Sequence, residues 1–197
     1  MSEDIFRQLG SSNHSINNRQ DLDFYSTPEI ATLSLLKRVE FKGNILEPAW
    51  GSGAISKVLK RELDNEVISK DIVNRGYEDC EEIIDFLDET KKYDNIITNP
   101  PFSMGLDFVK KSLELSNDKV AMLMKIQFLE GKKRYKELLK DNPPKEVHIF
   151  SYRLPYYRGD EKQNGSSAMC LAWFIWEKGY KGDTIIKWFG ENELEEE

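Results

Sequence analysis

The sequence is poor in the residues that build metal centres and disulfide frameworks. It contains two cysteines, Cys80 and Cys170, and two histidines, His14 and His148. A small disulfide-stabilised domain needs several cysteine pairs, and a zinc site needs closely spaced Cys and His ligands. Neither class fits, so we predict no metal site and expect both thiols to be reduced, as in the cytoplasm.

Long apolar runs are also missing, which argues against a transmembrane helix. The first ten residues, MSEDIFRQLG, lack the basic and apolar regions of a secretory signal. The 197 residues, 39% of them hydrophobic, are enough for one domain with a sizeable core. We therefore expect a globular cytoplasmic protein without a membrane partner.

The net charge of −7 argues at first against binding of nucleic acid. Its distribution weakens this objection, because five glutamates lie within residues 191–197. Residues 104–163 carry 13 Lys and Arg against nine Asp and Glu. The basic run within residues 132–136 fits a solvated helix face as well as a phosphate-binding surface, and both interpretations stay open.

Short apolar runs alternate with amphipathic segments along the chain, which predicts an α/β fold with a mainly parallel, doubly wound sheet. Thr27 is a good N-cap for a first helix and Pro28 suits its first position. The predicted strands are 44–47, 66–71, 93–98, 119–124, 146–150, 168–176 and 184–188; the predicted helices after the first are 54–63, 105–115 and 128–140. We expect an N-terminal arm over residues 1–24, one domain over 25–190 and an acidic tail over 191–197.

A glycine-rich turn follows the first strand, in the stretch ILEPAWGSGAIS over residues 45–56. Gly51 and Gly53 allow a close approach of the backbone to a ligand, and the helix behind them offers free N–H groups. This is the arrangement of a nucleotide-type site at the carboxyl end of a strand. Ser56 stands where a dinucleotide fingerprint would have its third glycine, so that class and the P-loop class do not match. A tight βα turn without a ligand is the alternative.

Acidic residues end the next two strand regions. Asp71 lies about 20 residues after the glycines, where a carboxylate can bind ribose hydroxyls. Asp85 could accept a hydrogen bond from an adenine amino group, and Phe86 could cover the ring. Taken alone, each is more often a surface acid beside a core aromatic; in order, at successive strand ends, they predict an adenosine pocket.

The stretch ITNPPFSMG places two prolines directly after the strand 93–98. Proline lacks an N–H group and extends the residue before it, so Asn99, Pro100 and Pro101 form a stiff, extended segment. The Asn99 side-chain oxygen and the Pro100 carbonyl are then two neighbouring acceptors for an amine, and Phe102 could stack on its ring. A rigid turn is the alternative.

The segment 151–167 is predicted to be a long irregular loop, a type that often carries function. It combines aromatic and basic side chains that could stack on bases or bind phosphates. The candidates for substrate contact are Tyr152, Arg153, Tyr156 and Arg158. The alternative is an ordinary loop whose tyrosines pack on the core.

These residues together resemble the class I S-adenosylmethionine-dependent methyltransferases that act on the N6 amine of adenine in DNA, in the motif order of the gamma type. The similarity runs from about Asp23 to Trp188 and is most specific at Asn-Pro-Pro-Phe. It implies a Rossmann-like fold with a mainly parallel seven-stranded sheet, an antiparallel C-terminal hairpin and helices on both faces. The segment after residue 168 also looks like the closing hairpin of small phage-type members.

The resemblance also implies roles for individual residues. The implied catalytic residues are Asn99, Pro100, Pro101 and Phe102, with Phe102 stacking on the target base. S-adenosylmethionine would be the cofactor and DNA the partner, either single-stranded or a duplex with a flipped adenine. The implied cofactor-binding residues are Tyr25, Thr27, Glu47, Pro48, Ala49, Gly51, Gly53, Asp71, Ile72, Asp85, Phe86 and Asn99.

The chain departs from the larger members of this family, because it has no room for a separate target-recognition domain. Strict sequence specificity is therefore in doubt, and a homodimer stays open. The alternatives are methylation of RNA adenine or of a protein glutamine, or an inactive cofactor-binding protein. The bulky Trp50 between Ala49 and Gly51 has no explanation from the sequence beyond packing near the cofactor.

Overall fold

The structure is a computed structural model that describes residues 26–73, 80–158, 161–166 and 169–191, without the side chains of 156–158 and 161–166. The predicted N-terminal arm and Tyr25 lie outside the described residues. The same is true of the Tyr156 and Arg158 side chains and of nearly all of the acidic tail.

The described strands form one large sheet and one small sheet. The strands are β1 Ile45–Glu47, β2 Val67–Asp71, β3 Glu82–Ile83, β4 Tyr93–Thr98, β5 Ser116–Lys125, β6 Glu146–Phe150, β7 Pro155–Arg158, β8 Glu161–Ser166, β9 Leu171–Glu177 and β10 Ile185–Phe189. The large sheet has eight strands in the order β10-β6-β9-β5-β4-β1-β2-β3, and β7 pairs with β8 in a separate two-stranded sheet.

Strand directions confirm the predicted fold class. All neighbouring pairs of the large sheet are parallel except those of β9, which runs antiparallel to both β5 and β6. Two details differ from the prediction. The sheet has eight strands rather than seven, and β9 and β10 lie on opposite sides of β6, so they are not direct neighbours.

The helices connect these strands on both faces of the sheet. They are α1 Glu29–Arg38, α2 Ala54–Glu62, α3 Gly105–Leu115 and the short α4 Lys132–Arg134, which continues as a π-helical turn, Tyr135–Leu139. The predicted helix 128–140 is thus interrupted: a 3₁₀ turn, Ile126–Leu129, ends before Gly131, which has a φ of 118°. Within the described residues, no helix is long and apolar enough to cross a membrane.

The start of α1 corrects one sequence prediction. The helix begins at Glu29, and the residue preceding it is Pro28, which makes no side-chain capping bond. Thr27 is therefore not the N-cap. Its hydroxyl instead accepts a hydrogen bond from the Asn99 side chain. The Thr27 hydroxyl thus bonds to a residue distant in sequence, whereas its position before the helix predicts a capping bond.

Two apolar clusters fill the two faces of the sheet. On one face α1 and α2 contribute Leu35 and Leu59, and on the other α3 and the α4 region contribute Phe108 and Leu138. The Trp173 indole N–H also donates to the Ala31 carbonyl at 2.7 Å, which ties β9 to α1. Each fully buried large apolar side chain stabilises the fold by about 1.5–3 kcal/mol.

A buried ionic network joins β2 to β4 below the carboxyl edge. Lys70 on β2 contacts the Glu89 carboxylate at 2.6 Å, and the Tyr93 hydroxyl donates to the same carboxylate at 3.0 Å. Burial opposes ionisation of Glu89, but hydrogen bonds from Lys70 and from the N–H groups of Lys91 and Thr90 lower the pKa of Glu89 to about 2. The carboxylate is therefore ionised throughout the neutral range.

We expect this network to make stability fall at acidic pH. The folded pKa of Glu89 lies below the ordinary value of 4.5, so the contribution is complete above that value and is lost as the pH falls towards 2. A shift of this size corresponds to about 3 kcal/mol. Urea unfolding of the wild type and of Glu89→Gln at pH 7, 4 and 2.5 isolates this contribution from those of other groups such as Glu47: the difference in stability between the two proteins should shrink as the pH falls. The half-exposed pair of Lys110 and Glu137 gives the control, because Glu137→Gln should change little.

Candidate active site

The parallel strands bring the predicted site segments to one edge of the sheet. Strands β1, β2, β4 and β5 are neighbours in parallel pairs, so their carboxyl ends meet at the same edge. The glycine turn follows β1, Asp71 ends β2, and Asn99 follows β4. Segments that are up to 50 residues apart in sequence therefore form one site, in the crevice position typical of open α/β sheets.

The glycine turn needs glycine at both predicted positions. Gly51 has a φ of 60° and Gly53 a φ of 77°, both in the left-handed region that other residues rarely adopt. The Trp50 indole lies directly against Gly53, so a Cβ at Gly53 would stand 2.7 Å from the ring atom Cζ2. Trp50 is buried, and its packing over the turn supplies the explanation that the sequence did not give.

Gly53→Ala should therefore destabilise the protein by about 2–4 kcal/mol, from left-handed strain of about 1 kcal/mol plus overpacking against Trp50 of about 1–3 kcal/mol. Gly179→Ala is a matched control, since Gly179 has a φ of 79° but nothing lies within 4 Å of its added Cβ. That variant should lose only the strain. Urea unfolding of both variants measures the difference, and equal losses would remove the Trp50 contact from the explanation.

Glu47 lies buried under the first turn of α2, with 1% of its surface exposed. The Ser56 N–H donates to its carboxylate at 2.8 Å, and the Ser56 hydroxyl makes a short hydrogen bond to the same oxygen. The Ser56 hydroxyl also lies 2.8 Å from that of Ser69. Burial raises the pKa of Glu47 to about 8, although the bonds from Ser56 oppose the rise. The residue that replaces the third glycine of a dinucleotide fingerprint thus holds this acid.

Asp71 lies where the sequence places it, at the carboxyl end of β2, and it is buried. One carboxylate oxygen accepts from the Gly51 N–H at 2.7 Å, and the other accepts from the Val73 N–H at 3.0 Å. Asp71 therefore fixes the glycine turn of the neighbouring strand. Carboxylate oxygens can accept more than one bond, so this role and the predicted binding of ribose hydroxyls are compatible.

The predicted adenine-binding pair is placed differently from the expectation. Asp85 caps the 3₁₀ turn Phe86–Asp88 by accepting from the Leu87 N–H at 2.9 Å. Phe86 is buried, and its ring packs on Phe108 of α3 at a centroid distance of 5.0 Å. The Phe86 ring thus fills the core and offers little surface to a ligand, and binding of adenine by Asp85 and Phe86 stays a prediction.

The other predicted cofactor residues divide by exposure. Pro48 is buried and Ala49 half-buried, and Ala49 packs on the core of the α3 face. Ile72, directly after Asp71, is 60% exposed, and Val73 is 47% exposed. An exposed β-branched pair at the end of β2 offers the apolar surface for a planar ring that Phe86 does not offer.

Hydrogen bonds join the segment before α1 to the rest of the site. The Asn99 Nδ2 group donates to the Thr27 hydroxyl at 3.1 Å, and the Ser26 and Ser52 hydroxyls lie 3.1 Å apart. Thr27 therefore fixes the side-chain amide of Asn99, with its oxygen on the side away from the threonine. The residues before α1 lie across both the glycine turn and the Asn-Pro-Pro-Phe motif.

The motif itself forms a compact turn between β4 and α3. Pro100 is buried, whereas Asn99, Pro101 and Phe102 are half-buried. The Met104 N–H donates to the Pro101 carbonyl at 2.9 Å, so the chain enters a 3₁₀ turn directly after the prolines. The Lys125 ammonium lies 4.4 Å from the centroid of the Phe102 ring.

The predicted loop 151–167 contains a β-hairpin, formed by β7 and β8. It follows β6, whose carboxyl end lies at the same edge as those of β4 and β5 because both β5 and β6 are antiparallel to β9. The Tyr152 ring packs edge-on against Phe150 at 5.8 Å, as the alternative interpretation of an ordinary loop expected, and Arg153 is exposed. The hairpin therefore follows the edge of the sheet at which the site lies. Of Tyr152 and Arg153, only Arg153 is exposed.

Sequence reasoning missed two contacts of the site. The bond between Asn99 and Thr27 and the contact between Lys125 and Phe102 join residues from separate strands and loops. Neither contact leaves a local signal in the sequence.

In the described part of the chain, no group of three or more His, Cys, Asp or Glu residues is arranged to hold a metal ion.

Neither a protein-family model nor a curated protein sequence matches the chain. Solved structures do. The candidate RNA methyltransferase PH1948 from Pyrococcus horikoshii has a TM-score of 0.59 and 17% identity, with 90% of this chain and 99% of that chain covered. The predicted O-methyltransferase Atu636 from Agrobacterium tumefaciens has a TM-score of 0.57 and 13% identity, with 82% and 85% covered.

A third similar structure is the precorrin-6y C5,15-methyltransferase from Geobacter metallireducens, with a TM-score of 0.52, 15% identity, and 76% and 86% of the two chains covered. At these identities the likeness shows the fold. The chain has the Rossmann-like fold of S-adenosylmethionine-dependent methyltransferases, and the residues predicted to hold that cofactor lie at its glycine turn and at the end of β2.

Proposed function

We propose that this chain transfers a methyl group from S-adenosylmethionine to the exocyclic N6 amine of adenine in DNA. The observation that supports it most is the setting of Asn99. Its amide is held by Thr27 at the end of β4, beside the glycine turn, with Pro100 directly following. In the proposal, the Asn99 oxygen and the Pro100 carbonyl are the two acceptors for one amine.

The residues at the carboxyl edge fit the proposed cofactor. Gly51, Gly53 and the start of α2 would hold its amino-acid end, where Glu47 lies buried. Asp71 would accept from the ribose hydroxyls, and Ile72 would lie against the adenine ring. A cationic ligand would favour the ionised form of Glu47, whose pKa burial raises to about 8. When bound, S-adenosylmethionine would supply an electrophilic methyl group: the N–C bond forms as the sulfonium S–C bond breaks, and the amine proton that the methyl group replaces passes to solvent.

The motif residues supply orientation rather than a strong base. An adenine amine is a poor nucleophile because its lone pair is delocalised into the ring. The Asn99 Oδ1 atom and the Pro100 carbonyl would accept hydrogen bonds from its two N–H groups. These bonds draw the nitrogen towards tetrahedral geometry and free the lone pair. Such preorganised electrostatic and orientational help is the main contribution of the chain to the rate.

Phe102 would hold the ring that carries the amine. An adenine in duplex DNA must first leave the base stack, which costs a few kcal/mol. Stacking of a base on an aromatic side chain returns roughly 1–3 kcal/mol of this. The excess of Lys and Arg over Asp and Glu in residues 104–163, together with the exposed Arg153, is consistent with a polyanionic substrate.

Transfer of labelled methyl groups tests the proposal. The full chain is incubated with methyl-labelled S-adenosylmethionine and, in parallel, with DNA from a host that lacks adenine methylation, with RNA, and with protein. Digestion to nucleosides and mass spectrometry should find N6-methyladenine in the DNA arm. Methyladenine in RNA alone, or methylglutamine in protein, would move the same site to another substrate.

A catalytically idle protein is the outcome that would refute any transfer function. Calorimetry would then detect binding of S-adenosylmethionine, while no acceptor gained label. The Asn99→Ala variant serves as the background control in every arm, because it should bind the cofactor and transfer almost nothing. Label that persists in this variant would come from a contaminating enzyme.

A further inference from the structure

Lys125 lies beside Phe102, the residue proposed to stack on the target base, and it has no role in the function proposed above. Its ammonium lies 4.4 Å from the centroid of the Phe102 ring, a cation–π distance. Its backbone is fixed, because Lys125 pairs with Leu171 of β9 and the next N–H group, of Ile126, donates to the Cys170 carbonyl at 2.9 Å. A rigid strand end therefore aims this side chain at the ring.

The Phe102 ring contacts both the protein core and the Lys125 ammonium. The ring is half-buried and packs against the core cluster of the α1 face. The ammonium covers the ring face above which it lies, so a base cannot stack there while Lys125 is in place. Both residues are half-buried, so the cation–π contact is worth roughly 0.5–2 kcal/mol, against roughly 1–3 kcal/mol for stacking of a base. An entering base that also offers the ammonium a phosphate should therefore displace it.

The displaced ammonium needs a new partner within reach of its side chain. Among the ion pairs of the described residues, none includes Lys125. A nucleotide that stacks on Phe102 brings its own phosphates to the rim of the site. Lysine is a point charge on a flexible stem, which suits exchange of a ring for a phosphate oxygen.

Moving the ammonium also removes an obstacle to the reaction. Methyl transfer places positive charge on the target amine, and a nearby cation disfavours that charge. Pairing of the ammonium with a phosphate neutralises it at the moment when the base is in position. The exchange thus couples entry of the base to an electrostatic setting that permits transfer.

We propose that Lys125 is a positioning residue that covers Phe102 in the free protein and binds a phosphate of the target nucleotide once the base stacks on Phe102. This inference rests on the proposed function, and it makes the substrate a phosphate-bearing polymer. An acceptor without phosphates, such as a glutamine side chain in a protein, would give Lys125 nothing to bind.

The salt dependence of DNA binding tests it, since each phosphate contact contributes about 0.9 to the slope of log affinity against log salt. In Lys125→Met the slope should fall by about one and KM for DNA should rise about tenfold, with kcat within about twofold. Lys125→Arg should keep the slope. The exposed Lys42 gives the control, because it precedes β1 at the edge of the sheet opposite the site, so Lys42→Met should leave slope and KM unchanged.

An unchanged slope and KM in Lys125→Met would overturn the inference, and so would a loss confined to kcat. The urea midpoint of each variant separates these results from misfolding. If the wild-type protein methylates no DNA, the proposed function fails by itself; the salt slope of equilibrium DNA binding then still decides the role of Lys125. A protein that neither methylates nor binds DNA would remove both.

Discussion

Asn99→Ala is expected to lower kcat by about 10² to 10³ while the Kd for S-adenosylmethionine stays within about threefold. The size follows from removal of one preorganised hydrogen-bond partner of the reacting group, for which oxyanion-hole donors give the scale. The effect should be confined to transfer because the Asn99 amide nitrogen donates to Thr27, and the Asn99 oxygen is the proposed acceptor for the target amine. Single-turnover kinetics and calorimetry measure the two quantities separately.

Two threonine variants sharpen this test. Thr27→Val removes the acceptor that fixes the Asn99 amide, and we expect a smaller loss of kcat, about tenfold. Thr32→Val is the matched control, because the Thr32 hydroxyl is also buried but has no hydrogen-bond partner in the structure. That variant should leave kcat unchanged. If Asn99→Ala weakens cofactor binding as much as it slows transfer, Asn99 is a structural residue.

Asp71→Ala should produce the other large effect, a loss of about 10- to 100-fold in affinity for S-adenosylmethionine. A hydrogen bond to a charged group contributes about 1.5–3 kcal/mol. The variant lacks the carboxylate that would bind the ribose hydroxyls and that accepts from the Gly51 N–H. The change should appear in Kd measured by calorimetry. Once the enzyme is saturated with cofactor, kcat should recover most of its value.

Two further variants separate the contributions at this position. Asp71→Asn keeps one oxygen that can accept from the Gly51 N–H, so its loss of affinity should be smaller than that of Asp71→Ala. Asp88→Ala removes an exposed carboxylate of the neighbouring 3₁₀ turn and should change nothing. An Asp71→Ala protein with wild-type affinity would displace Asp71 from the ribose.

The order of elements and the position of the site could be predicted from the sequence because both depend on local patterns. Alternation of apolar strands and amphipathic helices implies a doubly wound sheet, and such a sheet places the ends of β1, β2 and β4 together. Gly51, Gly53 and the two prolines are each recognisable from the backbone conformation that they require or impose. The segments of the site follow from these facts alone.

The contacts between the segments could not be predicted, since they depend on register and on which way a side chain turns. Thr27 fits a helix cap in sequence, yet its hydroxyl accepts from Asn99. The sequence around Phe86 is the same whether its ring covers a ligand or fills the core. In the structure the ring packs on Phe108 of α3, so it fills the core. From the sequence, Lys125 is only the last residue of a strand. In the structure its ammonium lies over the Phe102 ring.

The packing of Trp50 on Gly53 gives the protein a built-in fluorescent probe. Of the four tryptophans, Trp173 and Trp176 are buried within β9, and Trp188 is 58% exposed on the edge strand β10. A soluble quencher such as iodide should therefore silence mainly Trp188. A change in the remaining emission when S-adenosylmethionine is added would come from the indole nearest the glycine turn, so ligand binding can be followed without a label.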